Sequence, residues 1–376
     1  MRPLADFVSD RARAIDASGI RKVFDLAAKM KDPINLSIGL PDFDVPDLAK
    51  QAAVDAIWKG YNAYTPTQGI EPLRRKLREK LEPEIGAFEG RGWDVIVTGG
   101  VSGGLMLALM AMVNDGDEVI FLDPYFVMYR HVTRMAGGRP VAVDSYPDFR
   151  FDAAKVEAAI TPKTKILMLN SPGNPTGTVL SEQEIEAAVA VARMHDLVLI
   201  SDEIYDPFLY DARPTSPAKL YDRTILLRGF SKTYGMTGWR LGYAAGPAEL
   251  IQQLAKLQQY TFTCAPAPFQ HAAITALDVS VADHVAAYRR KRDIVAETLG
   301  GVFELTRPSG AFYAFPRVPE RLGLTASGFV EKAIEKNVLV IPGNVFSARD
   351  THFRISYAVT DEKLKRGCEI LAELAK

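Results

Sequence analysis

The chain has 376 residues, and its 45 lysines and arginines against 46 acidic side chains leave a formal charge of −1, so it presents no net basic field for nucleic acid or an acidic membrane. With 48% hydrophobic and 24% charged residues it has the composition of an ordinary globular protein, long enough for a large domain plus a smaller one. The opening MRPLADFVSD carries acids where a signal peptide needs an apolar run, and the longest apolar stretch, Leu105 to Val113, is far short of a bilayer span. The expectation is a cytoplasmic protein without membrane contact. Two cysteines, Cys264 and Cys368, make neither a metal site nor a disulfide framework.

Taken in chain order, short apolar runs alternate with longer segments of helical period. The runs are Val95 to Thr98, Val119 to Leu122, Ile166 to Asn170, Val198 to Ser201, Ile225 to Leu227 and Leu241 to Ala245. Several are apolar throughout, which predicts strands of a mostly parallel sheet covered by helices on both faces, an α/β architecture. Ser181 and Glu184 form an S-x-x-E box before a helical segment, the start of a crossover helix. After about residue 290 the pattern becomes helix, short strands at Phe312 to Phe315 and Phe353 to Tyr357, then an amphipathic helix from Asp361, predicting a smaller α+β domain. The expected division is an N-terminal arm and part of the small domain over 1–46, a large domain over 47–290 and a small domain over 291–376.

In open α/β sheets ligands collect outside the carboxyl ends of the strands, so the residues just after each run matter most. After Thr98 comes a glycine-rich turn, Gly99 to Gly104, feeding a helix whose free N–H groups and dipole suit a phosphate. Tight turns need glycine anyway, so this turn alone is weak evidence. Gly100-Val101-Ser102-Gly103-Gly104 also satisfies G-x-S-x-G, which opens a serine hydrolase reading with Asp202 and His271, His284 or His352 as partners. Asn170 leads into SPGNPTG, where the turn explains the prolines and glycines but not Asn174, whose amide can donate to a bound oxygen. VLIS ends at Asp202, followed by Glu203 and Tyr205, and an aspartate there could equally cap a helix. The run TILLR ends near Ser231 and Lys232, with Arg240 eight positions on. A lone lysine is ordinarily a solvated surface charge.

Together these residues describe one device. A lysine amine can form a Schiff base, a buried carboxylate can keep a pyridine nitrogen protonated, and a helix N-terminus plus an arginine can hold a phosphate. Those demands are met by pyridoxal 5′-phosphate.

The ordered motifs, from Ser37-Ile38-Gly39-Leu40-Pro41-Asp42-Phe43 to Phe353-Arg354-Ile355-Ser356-Tyr357, resemble the class I/II aminotransferases, pyridoxal-phosphate enzymes of fold type I. The resemblance spans nearly the whole chain. It implies Lys232 as the Schiff-base lysine, Asp202 on the ring nitrogen, Asn174 and Tyr205 on the phenolic oxygen, and Phe126 stacked on the ring. It implies a phosphate cup of Gly100, Val101, Ser102, Ser231 and Arg240, and it assigns Arg354, with Gly39 and Asn174, to the substrate α-carboxylate. Tyr64, in NAYTPTQG, matches a tyrosine lent by a neighbouring subunit, which implies a homodimer. Gly229 departs from the small polar residue that many relatives carry three places before the lysine. The stretch SGIRKVFDLAAKMKD, with GFSK, most resembles the aspartate and aromatic branch. The implied reaction is ping-pong transfer of an amino group from an L-amino acid to a 2-oxo acid such as 2-oxoglutarate. A lyase or synthase of the same fold, such as a C–S β-lyase, is the alternative.

Overall fold

A computed structural model describes residues 2–16, 19–20, 23, 26, 28, 30–211 and 213–376. Half of the stretch 18–32 that resembles the aspartate and aromatic branch therefore lies outside the described residues. In chain order the strands are β1 (Ile34–Asn35), β2 (Trp93–Thr98), β3 (Glu118–Asp123), β4 (Arg139–Asp144), β5 (Thr164–Asn170) and β6 (Val198–Asp202). They continue as β7 (Thr224–Gly229), β8 (Gly242–Pro247), β9 (Tyr313–Ala314), β10 (Val338–Leu339), β11 (Ile341–Pro342) and β12 (Phe353–Ser356).

A seven-stranded sheet has the order β2-β8-β7-β6-β5-β3-β4. β8 runs against both of its neighbours, and the other pairs are parallel. The apolar runs are continuous because both faces are covered. On one face Phe121, Ile166, Met168, Ile200 and Leu227 pack with Leu105, Leu109 and Leu254 of helices Gly100–Met112 and Ala248–Thr261. On the other, Ile120, Leu167, Leu169 and Leu199 pack with Ile185, Ala188 and Val189 of helix Glu182–Met194. That helix starts on the predicted capping box, with Ser181 accepting from the Glu184 N–H and Glu184 accepting from the Ser181 N–H.

β4 has no counterpart in the sequence-based expectation. It begins Arg139-Pro140 and lies at the sheet edge, where a missing N–H is tolerated and an apolar run is not required. The expected strand at Leu241 starts one residue later.

A three-stranded antiparallel sheet, β11-β12-β9, and the parallel pair β1-β10 share a second core with helices Ala326–Glu335 and Asp361–Leu374. Tyr205, Phe208 and Tyr210, which follow β6, are buried in that core, so the connection between β6 and β7 is anchored in it. Helix Ala282–Leu299 packs along Asp361–Leu374, and its Tyr288 hydroxyl accepts the Asp42 N–H at 3.2 Å.

Candidate active site

The carboxyl ends of β5, β6 and β7 are neighbours in register, with Asn170 beside Asp202 and Asp202 beside Leu227. Asp202 is the last residue of β6, and no helix follows it directly. Its carboxylate accepts the Tyr129 hydroxyl at 2.7 Å and the Ile204 N–H at 3.2 Å. Burial pushes its pKa up to about 6 against the opposing effect of those two hydrogen bonds, and neighbouring Glu203 adds to the rise. No cation among the described residues pairs with it. Asn170 supports the arrangement from β5, donating its amide to the Asp202 carbonyl at 3.0 Å and accepting the Asn174 N–H at 2.9 Å.

Lys232 sits in the one-turn helix Phe230–Thr233 that follows β7. Its amine donates to the Gly39 carbonyl at 2.6 Å, and no carboxylate among the described residues lies within ion-pair distance. Burial, then the charges of Arg354 and Arg240, lower its pKa to about 8. Arg354, on β12 and 1% exposed, donates to Asn174 Oδ1 at 3.0 Å and to the Ser37 carbonyl at 2.6 Å. Its Nε has no partner. A buried guanidinium and a partly buried amine without acids are costly unless something anionic completes them.

The glycine-rich turn lies at the same edge. Helix Gly100–Met112 has no side-chain cap, so its first N–H groups are available. Gly100 has φ +74°, and a Cβ there would stand 2.7 Å from Nη2 of Arg240. β7 and β8 close against this turn with Gly229 opposite Gly242, and a Cβ on Gly242 would lie 2.6 Å from the Gly100 carbonyl carbon. A Cβ on Gly229 would sit 3.1 Å from Val101 Cγ2 and 3.2 Å from Ile204 Cδ1, so strand and turn approach closely at this glycine.

A cleft of about 430 Å³ gathers most of the expected residues: Gly39, Val101, Ser102, Phe126, Asn174, Asp202, Tyr205, Ser231, Lys232, Arg240 and Arg354. Gly100 lies just behind it, against Arg240. Tyr64 does not line it; that side chain is 85% exposed, beside a separate surface hollow with Phe262 and Cys264. Tyr129, Asn170 and Tyr313 also line the cleft and were not singled out from sequence. The histidines of the hydrolase reading lie elsewhere: His271 stacks on Tyr61, His284 on Phe43, and His352 is packed among Tyr146, Phe149 and Phe315. Ser102 therefore shares the cleft with Asp202 but with none of the three bases nominated for it.

Residues 31–371 match the sequence pattern described as aminotransferase class I and II. The chain belongs to that family. A probable aspartate aminotransferase of Methanocaldococcus jannaschii is 39% identical, covering 98% of this chain and 99% of its own. An aromatic-amino-acid aminotransferase 2 of Thermococcus litoralis is 37% identical, with 98% of each chain covered. The structure of an aspartate aminotransferase from Thermus thermophilus with maleate superposes with a TM-score of 0.92 at 36% identity over 100% of both chains. This aminotransferase accordingly has the type I fold, uses pyridoxal 5′-phosphate and catalyses transamination; the lyase and hydrolase alternatives are not favoured.

Proposed function

We propose that this aminotransferase takes the α-amino group of an L-amino acid of the aspartate or aromatic type and delivers it to a 2-oxo acid such as 2-oxoglutarate, in a ping-pong cycle. Relatives named for aspartate and for aromatic amino acids support the reading, alongside others named for aspartate/prephenate and for N-acetyl-LL-diaminopimelate. The observation that carries it is Lys232, a partly buried amine of lowered pKa without an acid partner among the described residues, in a cleft shared with Asp202 and Arg354.

The lining fits pyridoxal 5′-phosphate in its charges: a carboxylate without a cation at Asp202, an open helix N-terminus with Arg240 nearby, and an amine of lowered pKa. When bound, that group supplies an electron sink for the pair left as the substrate Cα–H bond breaks. Asp202 would hold a proton on its ring nitrogen, and Tyr129 and the Ile204 N–H fix the direction of the carboxylate. The Gly100–Ser102 turn, Ser231 and Arg240 would hold the phosphate, Phe126 would cover the ring, and Asn174 and Tyr205 would donate to the phenolic oxygen. Arg354 binds the substrate α-carboxylate in a fork that Asn174 and Ser37 orient, with Gly39 beside it. Lys232, with a pKa of about 8, takes the Cα proton and returns it as general base and acid at neutral pH.

The same reading divides the chain into an arm over 1–46, a large domain over 47–290 and a small domain over 291–376, with the cleft between the two sheets. It also takes the active unit as a cytoplasmic homodimer in which Tyr64 reaches the partner's phosphate. Support comes from Trp58 and Tyr64, each 85% exposed, and from half-exposed Tyr61 and Phe262. No helix of the described residues is long and apolar enough to cross a membrane. A Lys232→Ala protein is expected to lose turnover with every donor; full transaminase activity in that variant would refute the reading.

A further inference from the structure

Tyr313 stands on β9 opposite Ser356 of β12, so Arg354, two residues back along β12, is its diagonal neighbour on the same face of the sheet. The two side chains meet accordingly. The Arg354 guanidinium lies 4.7 Å from the centroid of the Tyr313 ring and 4.7 Å from that of Phe346. The Tyr313 ring meets Tyr205 edge-on, with centroids 5.5 Å apart and planes at 90°, and the two hydroxyl oxygens are 2.9 Å apart. Tyr313 cannot swing away, because its hydroxyl is packed on the backbone at Gly39, where an added Cβ would stand only 2.0 Å from it.

Two hydroxyls in contact share two protons, and only one can lie between the oxygens. Burial pushes both phenols above the ordinary tyrosine range, so neither loses its proton at neutral pH. The other proton must point elsewhere, and the cleft is lined by both residues.

The geometry points to Tyr313 as a positioning residue that acts through Tyr205: its hydroxyl donates to the Tyr205 oxygen and turns the Tyr205 proton toward the phenolic oxygen of the cofactor. This rests on the reading that Tyr205 faces that oxygen. A phenol that accepts a hydrogen bond donates a stronger one, so the pair stabilises negative charge on the phenolic oxygen more than Tyr205 would alone. That charge is largest when the nitrogen joining Lys232 to the cofactor has lost its proton. The pair therefore keeps the pKa of the coloured holoenzyme low.

The test is a pH titration of the visible absorbance of the holoenzyme without substrate, in wild type, Tyr313→Phe, Tyr205→Phe and the double variant. Phenylalanine keeps the ring contacts with Arg354 and Tyr205. Removing the hydrogen bond from Tyr205 to a charged oxygen is expected to raise the midpoint by about one pH unit. Tyr313→Phe is expected to raise it by a smaller amount, about half a unit, and the double variant should match Tyr205→Phe alone. A Tyr313→Phe midpoint equal to wild type, with Tyr205→Phe shifted, overturns the relay and leaves the placement of Tyr205 intact. An additive shift in the double variant shows action independent of Tyr205 and also overturns it. If Tyr205→Phe leaves the midpoint in place, the placement of Tyr205 falls and the relay with it.

Discussion

At the scale of single residues, the two ionisable groups at the centre of the cleft are held at a cost that the cofactor-free protein should reveal. Lys232 has its pKa lowered to about 8 from 10.5, so below pH 8 the folded protein carries a partly desolvated ammonium that the unfolded chain would solvate fully. The unfolded chain binds more protons between those two values, and stability from this group therefore rises as pH climbs from about 8 to 10.5. Lys232→Met in the cofactor-free protein is expected to be more stable than wild type at pH 7, by on the order of 2 to 3 kcal/mol, with the gap closing above pH 8. Asp202 behaves oppositely in pH. Its pKa rises from 3.8 to about 6, so the folded state binds the extra proton and stability from this group is lost as pH rises through that window. Asp202→Asn should then gain on wild type between pH 4 and 6, while its activity with bound cofactor falls by at least about a hundredfold. Urea unfolding across pH 4 to 10 checks both, and curves parallel to wild type would contradict them.

At the scale of elements, the ends of β6 and β7 are clamped by Arg228, the residue before Gly229. Its guanidinium is buried and donates to Glu203 at 2.8 and 3.0 Å and to Glu84 at 2.7 Å, with Asp206 3.5 Å away. Glu203 follows Asp202 and Arg228 precedes Lys232 by four positions, so this ion cluster sets the spacing between the two strand ends. Arg228→Met would strand the buried Glu203 carboxylate and is expected to cost about 3 to 5 kcal/mol of stability. An unchanged denaturation midpoint would show that the clamp contributes nothing.

The strand ends were legible in the sequence because apolar runs covered on both faces stand out, and the residues that follow them carry the chemistry. Asp202, Asn174, Ser102 and Lys232 were found in that way, and the cleft holds all four. Tyr129 and Tyr313 escaped because each reaches the cleft by partners distant in the chain, Tyr129 through Asp202 and Tyr313 through Tyr205 and Arg354, whereas Asn170 reads only as the end of an apolar run. Sequence periodicity holds no trace of such pairs. The edge strand β4 escaped for a different reason, since a partly exposed strand opening on Arg-Pro offers only the short run Val141 to Val143 and lacks a full set of N–H donors.

At the scale of the whole molecule, Trp58, Tyr64 and Tyr260 are each more than 80% exposed, a large apolar presentation that a second copy would cover. Sedimentation equilibrium of the holoenzyme is expected to give a dimer. Tyr64→Ala is expected to weaken retention of pyridoxal phosphate about tenfold or more, the loss of one hydrogen bond to a charged group, without altering Lys232. A monomer with full activity would contradict the shared site.

The central claim is transfer of an amino group through Lys232, and it is tested most directly by following the absorbance of the purified holoenzyme as single L-amino acids are added without any 2-oxo acid. Aspartate, glutamate, phenylalanine and tyrosine are the first donors to try. The account predicts a lasting change from the pyridoxal to the pyridoxamine spectrum with at least one of them, reversed by 2-oxoglutarate. A transient change with release of ammonia would contradict it and mark the site as that of a lyase.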